Sequence, residues 1–227
     1  MIRTGLALLG LAATLAACSG GNETAISQAG QVQNLYQNLR SALRKPEPLP
    51  TLTPELVSNL SVSTMELVFE NRGLTVYLVP FSDRTDSRPG ALRTWRSADD
   101  VHFILREGVL VGMRGLDANI GSADVSSTVA AIQSGQPKSG PKRLFVRNGD
   151  NGTDRLDLSC RMTSGGVETL DIVGQQVNAT KLVEGCTFEG QTVTNTYWLA
   201  KSGGTVWQSR QWGGPEIGYL RFRLLKQ

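Results

Sequence analysis

Apolar residues recur along this chain in two different periods, and the switch between them divides it. Val32, Leu35, Tyr36, Leu39 and Leu43 fall at helical steps, which predicts one amphipathic helix capped by Asn22 or Thr24. The run Lys45-Pro46-Glu47-Pro48-Leu49-Pro50 ends it, because proline removes a donor and holds the chain extended. Residues 24–50 are therefore a helix and a stiff connector. Thr53-Pro54-Glu55 then reads as a cap followed by proline at the first helical position, so a brief helical turn to Asn59 is expected.

From Thr64 onward the period is two. Met65, Leu67 and Phe69 alternate with Glu66, Val68 and Glu70, Asn71-Arg72-Gly73 turns the chain, and Leu74 to Phe81 continues as a second strand. Arg93 to Trp95, Val101 to Arg106 and Val109 to Arg114 read as further strands, with Glu107-Gly108 as a tight turn. Asp117 to Gly140 is rich in Gly, Ser and Ala and is compatible with a long loop, a short helix through Val125 to Ile132, or both.

Leu156, Leu158, Cys160 and Met162 face one way and Arg155, Asp157, Ser159 and Arg161 the other, with Ser164-Gly165-Gly166 as the end of that strand. Val167 to Val173, Val177 to Val183, Cys186 to Phe188, Thr192 to Ala200, Thr205 to Trp212 and Tyr219 to Leu225 follow. Gly174, Gly185, Gly190, Gly203-Gly204 and Gly213-Gly214-Pro215 separate them. The fold class is mainly β: residues 51–227 predict an antiparallel meander that forms a barrel or half-barrel, preceded by one amphipathic helix.

The amino terminus adds an address. Arg3 precedes an apolar stretch from Gly5 to Ala17, the layout of a signal peptide and too short to cross hydrocarbon, which takes about 20 helical residues. It ends in Leu15-Ala16-Ala17-Cys18, which resembles the lipobox of bacterial lipoproteins, so residues 1–17 are expected to be removed and Cys18 acylated. Each buried CH₂ is worth about 0.8 kcal/mol, so two or three chains hold a protein firmly at a membrane. Residues 18–23 would be the lipidated tether. By the same resemblance, Ser19 after the cysteine points to the outer membrane and a periplasm-facing body.

With Cys18 taken by lipid, Cys160 and Cys186 form an even pair that reads as a disulfide in an oxidising compartment; two buried free thiols are the alternative. The net charge of +3 is spread over interspersed acids and bases, with no sign of nucleic-acid binding.

Candidate chemistry is sparse. His102 is the only histidine and sits inside a predicted strand, which argues against a zinc site and against a Ser-His-Asp hydrolase, and no cofactor is called for. Asp99-Asp100 and Asp150, Asp154 and Asp157 are the carboxylates that a glycan-cleaving enzyme would have to draw on. Asp150-Asn151-Gly152-Thr153-Asp154 lacks the spacing of a calcium loop and reads as a hairpin loop. Among the tryptophans, Trp198 within Tyr197-Trp198-Leu199 suits a core, whereas Trp95 and Trp212, beside Arg96 and Gly213, suit a surface.

Three strings carry more than composition: Thr94-Trp95-Arg96-Ser97-Ala98-Asp99, then Gly108-Val109-Leu110-Val111-Gly112-Met113-Arg114-Gly115-Leu116, then Trp207-Gln208-Ser209-Arg210-Gln211-Trp212 with Gly214-Pro215-Glu216-Ile217-Gly218-Tyr219. In order and spacing they resemble the YjbF/GfcB family of group 4 capsule and exopolysaccharide lipoproteins, from about Leu60 to Lys226. The chain departs from the family pattern at Met113-Arg114-Gly115-Leu116-Asp117 and Asn119-Ile120, where Thr-Arg-Gly-Leu-Gly and an Asp-Leu pair are usual. The resemblance implies a barrel-like periplasmic domain, outer-membrane β-barrel and periplasmic export partners, and a non-enzymatic role in polysaccharide secretion or assembly; it carries over no catalytic residue.

Arg96, Asp99, Arg114 and Gly115 flank the strand ends of these strings. With Trp95 and Trp212 they are the candidates for contact with a polysaccharide or a partner, the alternative for Arg114 being an ion pair with Asp99 or Asp117 that pins the turn. Two other functions remain open: a carrier sheltering a lipid inside the barrel, which requires a lined cavity, and a glycan-cleaving enzyme, which requires two carboxyls in one cleft.

Overall fold

Strand pairing follows chain order almost without exception. The computed structural model describes residues 51–117, 119–147, 152–201 and 204–227. The leader, Cys18, the tether and the helix with its Pro-rich connector lie outside the described residues, as do Asp150 and Asn151. Helix α1 (Pro54–Ser58) begins at Thr53, whose Oγ1 accepts from the Leu56 amide at 3.2 Å.

Twelve strands follow: β1 (Thr64–Phe69), β2 (Leu74–Arg84), β3 (Leu92–Arg96), β4 (His102–Arg106), β5 (Val109–Arg114), β6 (Asn119–Asp124), β7 (Gly140–Arg147), β8 (Thr153–Ile172), β9 (Gln175–Phe188), β10 (Gln191–Ala200), β11 (Val206–Trp212) and β12 (Tyr219–Lys226), with helix α2 (Ser126–Ser134) between β6 and β7.

They form one antiparallel sheet in the order β5-β4-β3-β2-β1-β12-β11-β10-β9-β8-β7-β6. The first strand pairs with the last, Leu67 opposite Phe222, so the meander curls into a nearly closed barrel. The remaining edges, β5 and β6, meet without a backbone ladder among the described residues. A Cβ on Gly112 would stand 3.3 Å from the Gly121 carbonyl, and Arg114 Nη1 donates to that carbonyl at 2.8 Å and to its own neighbour Met113 O at 2.7 Å. A side chain therefore supplies part of the bonding that the ladder omits there.

Alternation decides what fills the interior. Met65, Leu67, Phe69, Phe103, Met113, Leu158, Leu220 and Phe222 belong to one buried cluster; Val109, Val111, Met162, Leu182, Tyr197 and Leu199 join Val129 and Ile132 of α2 in a second. Strand β5 contributes to both, Leu110 and Met113 to the first, Val109 and Val111 to the second, so both of its faces are buried. Burial of each such aliphatic side chain stabilises by roughly 1.5 to 3 kcal/mol.

Three expectations are corrected, and one strand is not read from the sequence at all. Asp117 to Gly140 is not loop or helix alone: it holds both β6 and the helix, α2 extending two residues beyond Ile132. Strand β7 escapes a sequence reading because its inward row is Lys142, Leu144 and Val146, and a lysine facing in hides the alternation. Ser164-Gly165-Gly166 does not end a strand; it makes a register irregularity between Ser164 and Val167 within the continuous β8. Gly185 is no turn either, since it lies inside β9, opposite Arg161 of β8 and Thr194 of β10.

Candidate functional site

The turn between β3 and β4 builds the surface on which most of the sequence candidates meet. Ser97 N donates to Val101 O at 2.9 Å, the Val101 amide returns to Ser97 Oγ at 3.1 Å, and Asp100 takes a φ of 60°, a conformation aspartate tolerates better than most residues. The turn sets Arg96 opposite His102, and β5 sets Arg114 opposite His102, so the three stand side by side on adjacent strands.

Phe81, at the irregularity of β2, is 51% exposed; the Arg96 guanidinium lies 4.9 Å from its ring centroid and the His102 ring 4.7 Å away. Asp100 Oδ1 is 3.1 Å from His102 Nε2 and 3.8 Å from Arg96. Ion pairs this exposed add little stability, so the cluster does little to brace the turn.

Asp99 is exposed in the same turn. Arg114 does not pair with Asp99 or Asp117: its bonds to Met113 O and Gly121 O place it on the β5–β6 seam. Gly115, φ 84°, lets the chain pass close to the turn, since a Cβ there would lie 3.3 Å from Asp100 O.

The tryptophans are redistributed. Trp95 is 3% exposed, because it sits on the inward register opposite Phe103 while Arg96 takes the outward one. It forms part of the wall of an open cleft of about 690 Å³ at the other end of the β3–β4 hairpin, beside Met65, Leu105 and the Arg93–Asp83 ion pair. Trp212 is half-buried, 5.4 Å from Phe188. Trp198 is half-buried on the outer face, its Nε1 donating to Glu168 at 2.6 Å, and Tyr197 fills the core in its place.

The interior also holds a polar network that sequence reasoning missed. Lys142 and Glu184, 7% and 2% exposed, form an ion pair. Thr128 Oγ1 donates to Glu184 at 2.5 Å, which ties α2 to the barrel, and Asn195 Nδ2 donates at 2.8 Å. Gln211 accepts from the Leu110 amide and donates to Gly108 O, both at 2.9 Å, holding β5 from across the barrel. Burial pushes the Glu184 carboxyl up, but the Lys142 charge and the hydrogen bonds from Lys142, Thr128 and Asn195 outweigh it and hold it below its ordinary value. Burial, with the nearby Glu184 charge, drives the Tyr197 phenol well up. The faint signal was a single acidic residue at the inward register between Leu182 and Cys186.

Cys160 and Cys186, directly opposite on β8 and β9, are joined by a disulfide. The space among Leu110, Lys142, Asn195 and Tyr197 amounts to about 10 Å³, room for one water and far short of a lipid chamber. The carboxylates weighed for glycan cleavage lie apart in the fold: Asp99 and Asp100 in the β3–β4 turn, Asp154 and Asp157 on β8. Hydrogen bonds from Arg143 and Arg155 hold Asp157 below the usual carboxylate range, the opposite of what a general acid needs.

The sequence model of the family described as group 4 capsule polysaccharide lipoprotein GfcB, YjbF matches residues 36–225. The chain belongs to the YjbF family. The barrel has a counterpart among solved structures in the hypothetical lipoprotein YmcC from Escherichia coli K12, at 21% identity and a TM-score of 0.67 over 90% of this chain and 98% of that one. No curated protein matches this chain. In this YjbF-family chain the three sequence strings fall on the β3–β4 turn, on β5 with the seam, and on β11 with the turn into β12.

Proposed function

We propose that this YjbF-family chain is an outer-membrane lipoprotein, tethered through acylated Cys18 and facing the periplasm, that assists capsule or exopolysaccharide secretion or assembly by binding rather than by catalysis. The observation that carries this reading is the family match across residues 36–225, whose description names a capsule polysaccharide lipoprotein. A barrel packed with side chains and a polar network suits a rigid adaptor better than a carrier. The exposed cluster of Phe81, Arg96, Asp100 and His102 is the surface we assign to an outer-membrane or periplasmic export partner, because an aromatic ring stacked with a guanidinium loses little entropy on docking.

Deleting the gene and measuring polymer released by cells grown where the wild type makes it tests the proposal. Loss of polymer is expected, with recovery on complementation. Undiminished polymer would refute the role, and recovery of the mature protein without acyl chains by mass spectrometry would refute the tether.

A further inference from the structure

Gly185 has no reason in the fold to be glycine. A glycine inside a strand weakens it and is ordinarily explained by a bend, a positive φ or a close neighbour. Gly185 does not take a positive φ, the register of β9 with both neighbours runs through it unbroken, and a Cβ there would meet nothing within 4 Å. What the missing side chain provides is space on the outside: Gly185 lies in the floor of an open groove of about 1190 Å³ on the outer face of β7, β8, β9 and β10.

The register specifies what lines it. Ser159, Thr187 and Thr192 form one cross-strand row, Arg161, Gly185 and Thr194 the next, and Thr163 and Val183 continue it. The side chains of Ser159, Arg161, Thr163, Thr187, Thr192 and Thr194 are all exposed. The bonds that Thr163 and Thr187 make to backbone carbonyls are long, 3.4 Å each, so their hydroxyls are weakly engaged.

The groove lining holds one acid, Asp157, and one base, Arg161, and the arginines beside Asp157 leave this side with a net positive charge. Arg143 and Arg155 share Asp157, and Arg161 has no carboxylate partner among the described residues. The groove is open along its length and crosses four strands, about 14 Å at the usual strand spacing. That shape receives the middle of a polymer rather than a small molecule or a chain end.

We infer that this groove binds a segment of an anionic polysaccharide, with ring hydroxyls against the Ser and Thr rows, acidic groups toward Arg161, and Gly185 left bare so that the chain lies close to β9. The inference rests on the proposed export role for the choice of a polysaccharide, and on the arginines for its charge.

Calorimetric titration of the full-length protein in detergent with an alginate oligomer, and with a maltodextrin of equal length, tests it. Binding of the uronate oligomer that weakens with added salt is expected, with no comparable binding of the neutral glucan. Gly185→Thr should weaken that binding by about tenfold or more at unchanged or raised melting temperature, since a β-branched residue suits a strand and the Cβ meets no neighbour. Arg161→Gln, an exposed change that leaves the fold alone, should weaken binding and flatten its salt dependence.

Equal binding of both glycans, binding of neither, or full-strength binding by both variants would overturn the inference. The outcome is separable from that of the export role. Loss of polymer on gene deletion together with no uronate binding rejects the groove and keeps the role, whereas normal polymer with specific binding does the reverse.

Discussion

Replacing Lys142 with methionine isolates the contribution of the interior ion pair. Met fills a similar volume but leaves Glu184, 2% exposed, with hydrogen bonds from Thr128 and Asn195 and no counter-charge. Removing one partner of a buried pair costs about 3 to 5 kcal/mol, because the other charge stays desolvated. In a domain of this size that lowers the melting temperature on the order of 10 °C.

The pH dependence should also change sign. In the native protein the Glu184 carboxyl is held below its ordinary value, so its contribution is present above the unfolded value and is lost as pH falls through the folded one. Without Lys142, burial, the largest single influence, is opposed only by the bonds from Thr128 and Asn195 and raises the folded value, so the variant loses stability as pH rises. The gap between the two proteins should therefore widen from about pH 4 to pH 7. Urea unfolding followed by tryptophan fluorescence, with the disulfide intact, measures it. Adding Glu184→Gln, whose Oε1 accepts from Asn195 while its amide donates to a Thr128 hydroxyl turned to accept, removes the charge and should recover most of the loss. A single-variant loss under about 1 kcal/mol, or a gap that does not move with pH, would refute a buried, paired Glu184.

Arg114→Ala should remove the bond to Gly121 O across the β5–β6 seam, together with the local bond to Met113 O, and cost about 1 to 2 kcal/mol, read as a drop of a few degrees in melting temperature; unchanged melting with impaired polymer release would instead make Arg114 a contact residue. Arg106, buried, donates to both oxygens of Asp86 and to Gly90 O at 2.7 Å, latching the loop after β2 and holding the Asp86 carboxyl down to about 2. That latch is intact above the ordinary carboxylate value and is lost as pH falls through about 2. An NMR titration of the Asp86 side chain placing its midpoint near 3.8 would contradict it. Replacing Cys160 and Cys186 together with alanine should lower stability by about 3 kcal/mol on the chain-entropy account, seen as a lower urea midpoint, and an unmoved midpoint would show that the crosslink adds nothing.

Local pattern settled much of this protein. The period-two rows of Met65, Leu67 and Phe69 and of Leu158, Cys160 and Met162, with turns at Glu107-Gly108 and Gly213-Gly214, were enough to read a meandering β domain and the inward faces of most strands. They suffice because side-chain alternation and turn chemistry are properties of a few consecutive residues.

The candidate site was legible only in part. The strings pointed to the β3–β4 turn, yet Phe81 joins Arg96 and His102 only through the pairing of β2 with β3. Trp95 faces inward because of its register opposite Phe103, which its neighbours in sequence do not fix.

Tertiary structure alone decided where charged and small residues belong. Lys142 and Glu184 look like surface residues until strands 42 positions apart bring them together inside the barrel, where each makes the other tolerable. Gly185 looks like a turn until β8 and β10 pair on either side of it, because glycine permits a turn without requiring one. Closure of β1 on β12, and the seam that Arg114 spans, follow from contacts between distant segments, which no local period encodes.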